Sequence, residues 1–264
     1  MKLFLRSDIA AAWQGADPFA AADALSGEIL RVGPGRRTLR TTVGGQQFVA
    51  KLHHGVGWWE ILKNLLLLRA PVLDAANEYR AAQRLSQAGV PSLTTAAFGI
   101  RGWNPARRRS FILCDHIPHA CSLEQTALQW RESPPLKKSR WAVIARVACI
   151  ARAMHAAGVN HRDFYLCHFL CTTRDELCLI DLHRAQTRAP GRVPLRWRVK
   201  DLGSLYFSAL DARLTERDLL RFVRHYNGGR LPRDEAQWRF WRAVGARARR
   251  LYAKGRRLGI VADG

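Results

Sequence analysis

Between positions 161 and 181 the chain reads His161-Arg162-Asp163-Phe164-Tyr165-Leu166-Cys167-His168 and then, after a short gap, an apolar strand Leu177-Cys178-Leu179-Ile180 that ends on Asp181. Two carboxylates and an imidazole at this spacing suit transfer of a phosphoryl group to a hydroxyl. That reaction asks little covalent help of a protein; it needs the hydroxyl aimed in line and the triphosphate charge neutralised. Asp163 is placed to orient and deprotonate the acceptor hydroxyl, and Asp181 to bridge Mg²⁺ to the phosphates. His168 either ligates metal or hydrogen-bonds the loop. Mg²⁺ prefers oxygen, so His168 is the weaker ligand candidate.

A His-Arg-Asp string recurs by chance in unrelated proteins, so the weight falls on order along the chain. Protein kinases carry a glycine turn between strands, a Lys strand, a Glu helix, a hinge, a catalytic loop and a metal Asp, in that order. A candidate for each stands here in the same order. Residues 27–32 read as a strand, Gly33-Pro34-Gly35-Arg36-Arg37 as a turn and Thr38 to Val43 as the returning strand. Gly33 and Gly35 would let backbone amides approach phosphate, with the arginines adding positive charge. Gly-Pro-Gly also makes an ordinary turn, and the full Gly-rich consensus is missing. The strand Gln47 to Leu52 carries Lys51 after Val-Ala, as a lysine that clamps α/β-phosphates would be. The helix expected over Asp74 to Gln87 carries its partner Glu78 and stops at Gly89, with Pro91 beyond. Phe111 to Ile117, followed by Pro118, falls where a hinge belongs, and backbone groups from Asp115 to Ile117 would hydrogen-bond adenine. Two departures are plain: His168 replaces the usual Asn, and Asp181-Leu182-His183 replaces Asp-Phe-Gly.

A long helix is expected from Ser139 to Ala157, with Trp141, Ile144, Val147, Ala148, Ala151 and Met154 on one face and Gly158 as its stop. Asp201, read as opening another apolar helix, either braces the catalytic loop through backbone amides or caps its own helix. The expected fold is α+β and protein-kinase-like in two lobes. An antiparallel-sheet N-lobe spans 1–116 and holds the glycine turn, Lys strand and Glu helix. A mainly helical C-lobe spans 117–264 and holds the catalytic loop, metal site and acceptor binding, with ATP and Mg²⁺ between the two.

The run Gly158-Val159-Asn160-His161-Arg162-Asp163-Phe164-Tyr165-Leu166-Cys167-His168-Phe169-Leu170, with Asp181-Leu182-His183-Arg184-Ala185 and Arg196-Trp197-Arg198-Val199-Lys200-Asp201-Leu202, closely resembles the lipopolysaccharide core heptose(I) kinase family of Gram-negative bacteria. The resemblance covers most of the chain. Those three blocks are specific, whereas Lys51, Glu78 and the glycine turn are general to kinase-like folds. What it implies is ATP-dependent phosphorylation of the first heptose of the inner core, at its 4-hydroxyl, on the cytoplasmic face of the inner membrane. It also implies Asp163 as catalytic base and a loop in which His168 is at home. Two rival functions stay open. A protein kinase, including one acting on tyrosine, would use the same phosphate machinery on a peptide. A non-catalytic basic module for membrane or nucleic acid would leave the Lys51, Asp163 and Asp181 arrangement to chance.

Composition bears on partners. The chain has 264 residues, is 48% hydrophobic and carries a formal charge of +22. It is long enough for one two-lobed enzyme with a sizeable core, and its surface attracts polyanions. Basic residues gather at Arg107-Arg108-Arg109, from Arg192 to Lys200, and from Arg239 to Arg257. The phosphates and acidic sugars of an inner-core glycolipid would match that field, with Arg196 and Arg198 as the contacts; nucleic acid is not expected. The oddest stretch is Val56 to Val72, Leu-rich with paired tryptophans and with Lys63 and Arg69 near its edges. It suits a helix lying on an anionic membrane, one gripping an acidic partner such as acyl carrier protein, or plain core packing. The N-terminal apolar run is too short for a secretory signal, and no run of about 18 apolar residues could span a bilayer. A cytoplasmic protein, peripheral on the inner face of the inner membrane, is therefore expected. The six cysteines lack zinc spacing and are expected to be reduced, mostly small core residues.

Overall fold

In the computed structural model residues 1–33, 35–67, 71–173, 176–212 and 214–257 are described. Pro34 of the expected glycine turn and Arg69 at the edge of the Leu-rich stretch lie outside them. The chain forms two compact units: Met1–Gln83 with Leu93–Ile117 and Leu182–Arg184, and Arg84–Ser92 with Pro118–Asp181 and Ala185–Gly264.

The first unit runs β1 (Lys2–Leu5), α1 (Ser7–Ala12), α2 (Pro18–Asp23), β2 (Glu28–Gly33), β3 (Arg36–Val43), β4 (Gln46–His53), α3 (Gly57–Leu66), the start of α4 (Ala76–Gln87), β5 (Thr95–Arg101) and β6 (Arg109–Asp115). Its six strands form an antiparallel sheet in the order β1-β5-β6-β4-β3-β2. Strand parity sorts the side chains between its two faces. Phe48, Ala50 and Leu52 of β4, with Phe111 and Leu113 of β6, pack with Ile9, Trp13 and Phe19 from the first two helices. Ile112 and Cys114 take the opposite face with Phe98. There Tyr79 of α4 stacks on Phe98, ring centroids 4.0 Å apart. Lys51 alternates with the inward residues of β4, so parity alone turns it to the α4 side. Asp17 caps α2 by accepting from the Ala20 amide at 3.1 Å, and Pro18 opens that helix.

The second unit runs β7 (Cys121–Ser122), α5 (Leu123–Glu132), α6 (Lys137–Ala156), β8 (Val159–Asn160), β9 (Phe169–Cys171), β10 (Leu177–Leu179), β11 (Gln186–Thr187), α7 (Leu195–Ser208), α8 (Glu216–Tyr226) and α9 (Glu235–Arg257). Helix α6 buries Ile144, Val147, Ala148, Ala151 and Met154 of the expected face, leaves Trp141 half-buried, and adds Ile150 and His155. Phe240, Val244 and Ala248 recur every fourth residue as the buried stripe of α9, which leaves its arginines around the remaining circumference. Helices α7 and α9 approach closely at Gly203, where a Cβ would fall 2.7 Å from the Arg247 side chain. A cavity of about 200 Å³ remains among these helices, its walls almost wholly apolar and including Val147, Leu202, Leu205, Phe222 and Val244.

One boundary departs from expectation. Helix α7 begins at Leu195, directly after Pro194, so Asp201 is interior and does not cap it. Arg196, Arg198 and Lys200 are good helix formers whose long stems tolerate a half-exposed first turn, and their charge made the run read as a basic segment ahead of a helix opening at Asp201. Among the described residues no helix is long and apolar enough to cross a membrane.

Candidate active site

Lys51 and Glu78 meet within the first unit. Lys51 Nζ lies 2.7 Å from Glu78 Oε1, with the carboxylate buried and the ammonium mostly so. The second carboxylate oxygen, Oε2, has no hydrogen-bond partner among the described residues. A lysine held this way is a rigid point charge for a phosphate group. Nearby, burial pushes the Cys114 thiol up to about 12, with Glu78 adding to the effect, so it stays uncharged.

The expected hinge divides between its residues. The Asp115 carboxylate takes both Arg6 guanidinium nitrogens at 2.8 Å, and its amide donates to Thr94 O at 3.0 Å. The His116 amide donates to Gln47 O at 3.1 Å. Among the described residues the Ile117 amide donates to no backbone carbonyl. At the hairpin between β2 and β3, Gly33 pairs with Arg36. Gly35 holds φ 62°, and a Cβ there would fall 1.9 Å from Gly55 O, so its missing side chain serves this backbone approach. A Cβ on Gly33 would meet nothing within 4 Å.

Asp163, His168 and Asp181 come together in the second unit. The loop that carries Asp163 leaves β8 and is pinned from below by Asp201, which is fully buried. Asp201 accepts the His161 amide on Oδ2 and the Arg162 amide on Oδ1, both at 2.8 Å. Lys200 Nζ donates to Arg162 O at 2.7 Å. Arg162 itself holds φ 74°, a left-handed conformation that these contacts must sustain. Under the loop, His161 Nε2–H donates to Ile180 O at 2.9 Å, which ties it to the residue before Asp181. Burial pushes the His161 pKa down, and the neutral ring has the tautomer that this bond requires.

His168 Nδ1–H donates to Asp163 O at 2.6 Å, fixing the loop's chain direction at the proposed base. Its Nε2 then lies 3.6 Å from Asp181 Oδ2. In the neutral Nδ1–H tautomer Nε2 presents a lone pair beside a carboxylate oxygen, a disposition that two ligands of one cation share. Asp181 stands at φ 61°. No group of three or more His, Cys, Asp or Glu side chains that could hold a metal occurs among the described residues. Mg²⁺ commonly takes one or two protein carboxylates and completes its shell with phosphate and water, so Asp181 fits it, with His168 as an atypical nitrogen donor.

Of the two arginines expected at an acceptor, Arg196 is exposed and flanks the Trp197 ring. Arg198 is turned elsewhere: its Nε–H donates to Tyr226 OH at 3.1 Å, and its guanidinium lies over the Tyr226 and Phe240 rings. Tyr226 OH in turn reaches His155 Nδ1 at 2.8 Å, and His155 Nε2 reaches Asp201 Oδ2 at 3.3 Å. A chain of polar contacts thus runs from Arg198 to the underside of the catalytic loop. His155, Lys200 and Tyr226 were not among the expected site residues. A buried His-Tyr pair 71 positions apart leaves no local spacing to find, although Lys200 stands beside Asp201 in sequence.

Residues 20–226 match the profile of the lipopolysaccharide kinase (Kdo/WaaP) family. The chain belongs to this family. It is 46% identical over 269 residues to the lipopolysaccharide core heptose(I) kinase WaaP of Pseudomonas aeruginosa, covering 98% of this chain and 99% of that protein. To the WaaP of Escherichia coli K12 it is 45% identical over 231 residues, covering 85% and 86%. A solved structure, WaaP in complex with acyl carrier protein, superposes with a TM-score of 0.81 at 42% identity, covering 96% of this chain and all of that one. The family's protein-kinase-like α+β fold is therefore the fold of this chain.

Proposed function

We propose that this protein transfers the γ-phosphoryl group of ATP to heptose I of the lipopolysaccharide inner core, at its 4-hydroxyl. The observation that carries the proposal is the join of His168 to Asp163 O at 2.6 Å and to Asp181 at 3.6 Å, above a loop clamped by Asp201. Asp163 receives the hydroxyl proton, and its position depends on backbone contacts at both ends of the loop. Lys51, kept in place by Glu78, offers its charge to the nucleotide phosphates, and the Ile117 amide reads the adenine edge. Asp181 and His168 would hold Mg²⁺, which neutralises phosphate charge when bound. Arg196 meets anionic groups of the acceptor; Arg198 supports the loop through Tyr226 and His155. The site of action is the cytoplasmic face of the inner membrane.

An acidic carrier protein is a second proposed partner. The solved relative is bound to acyl carrier protein, this chain carries +22, and its apolar cavity of about 200 Å³ is larger than the ~150 Å³ apolar cavities that take up small hydrocarbons.

The test follows ³²P from ATP with Mg²⁺ into lipopolysaccharide lacking core phosphate, for native protein and Asp163→Ala, with the modified sugar mapped by mass spectrometry. Label on heptose that disappears in the variant supports the proposal. Asp163-dependent label on protein alone assigns a peptide acceptor, and label on neither overturns the catalytic reading.

A further inference from the structure

Helix α3 is amphipathic, but its apolar side is outside. Of its ten residues Ile61 is the one buried, while Trp58, Trp59, Leu62, Leu65 and Leu66 are exposed, Trp59 by 79% and Leu66 by 83%. At about 100° per residue these five share one arc of roughly 120°. Exposed Lys63 borders that arc. The helix's acid, Glu60, is turned onto Asn64, whose Nδ2 lies 2.8 Å from Oε1. Scattered exposed leucines need no explanation, whereas a continuous face of this kind marks an interaction surface.

The neighbouring backbone extends the face. The Gly57 amide donates to Ala106 O at 3.0 Å, and a Cβ on Gly55 would fall 2.9 Å from Arg107 Cα. The connection between β5 and β6 therefore lies against the start of α3. It presents Trp103, 89% exposed, and Arg107, also exposed. Indole rings with leucines, rimmed by Lys63 and Arg107 and with the local acid occupied, are complementary to an anionic interface. A lipid surface suits a helix that can sink its indoles and leucines to headgroup depth with its cations at the phosphates.

We infer that α3 and the Trp103 connection dock this protein on an anionic phospholipid bilayer, α3 lying in the plane of the interface. This deepens the membrane location in the proposed function and rests on it for its purpose, which is to hold the enzyme where a lipid-anchored acceptor is found.

The test is flotation of the full chain with phosphatidylcholine vesicles containing one-quarter phosphatidylglycerol, against phosphatidylcholine alone. Native protein should float with the first and not with the second. Leu62→Glu with Leu66→Glu, both at exposed positions, should lower the floated fraction by about 10-fold or more. Trp58→Phe with Trp59→Phe keeps the face apolar, so this variant should float like native but lose much of the fluorescence quenching caused by bromine-labelled acyl chains. That comparison decides the matter even if the glutamate variant unfolds. Native-like flotation of a folded glutamate variant overturns the inference, as does undiminished quenching in the phenylalanine variant or failure of native protein to float. If instead the glutamates abolish retention on immobilised acyl carrier protein and leave flotation intact, the face belongs to a protein. Transfer by native protein to a deacylated, water-soluble core acceptor is measured alongside: its absence in protein that floats counts against the catalytic reading, whereas transfer by native protein that does not float counts against the docking face.

Discussion

Asp201 holds the Arg162 amide at 2.8 Å while Arg162 sits at φ 74°. A non-glycine residue in the left-handed region costs free energy, and the buried Asp201 carboxylate, with Lys200 on Arg162 O, holds the loop in this shape. Asp201→Asn keeps the size but sets an NH₂ group against one of the two amides. Hydrogen bonds to charged groups contribute about 1.5–3 kcal/mol, and a loss of that order in urea unfolding is expected. Turnover should fall by about 10²-fold with much less change in the KM for ATP, since the damage lies under the base. A variant with native stability and native turnover would remove Asp201 from its bracing role.

The pair Lys51–Glu78 calls for a cycle, because a single substitution mixes two effects. Lys51→Met leaves the Glu78 carboxylate buried without its partner, at a cost on the order of 3 kcal/mol. Adding Glu78→Leu removes the stranded charge, and much of the stability should return. Activity should not, because the charge proposed to face the phosphates is still missing. Thermal melts and transfer rates on the four proteins separate these outcomes; activity returning along with stability would make the pair a packing feature only.

His168 has two tasks that substitutions can separate. His168→Asn retains a donor for Asp163 O and an oxygen for a cation, and should keep activity within about 10-fold of native. His168→Ala loses both, and a fall of about 10²-fold is expected, with a raised Mg²⁺ requirement. Mg²⁺ titration of initial rates is the measurement. Equal Mg²⁺ dependence in native and Ala forms would leave His168 with the loop contact alone.

Much of this site was legible in the sequence because its parts are local. Lys51 declares itself by its place after Val-Ala on a strand, Glu78 by its place on a helix with clear stops, and Asp163, His168 and Asp181 by short spacings along one loop and strand. What escaped is tertiary. Arg198 was expected at an acceptor beside Arg196, but once α7 starts at Leu195 the two point differently, and the helix start was hidden by its charges. Gly35 looked like a phosphate-binding glycine, yet the atom that excludes its side chain is Gly55 O, far along the chain. The strand β1 is held by pairing with β5, the short Ala-rich α1 and α2 by packing on the sheet, and propensity over so few residues carries little signal.

Acid should destabilise the fold before the carboxylates titrate. Burial, with Arg36 and Lys51 nearby, pushes His53 down from 6.5 to about 3, and burial also lowers His161. Both rings are neutral in either state above about pH 6.5, and there the full stability is present. As pH falls below that value the unfolded chain takes up protons that the folded chain refuses, so stability declines, by up to about 1.4 kcal/mol per pH unit for each histidine. The His53 contribution ends only near pH 3. Asp8, held below its ordinary range by the Arg6 guanidinium, and carboxylates like it add their own loss below about pH 4. Between pH 6.5 and 5 the slope therefore belongs chiefly to these rings. Urea midpoints across that interval should fall for native protein, and His53→Leu should make the decline shallower by about one histidine's share. An unchanged slope in the variant would show that His53 takes up its proton in the folded state.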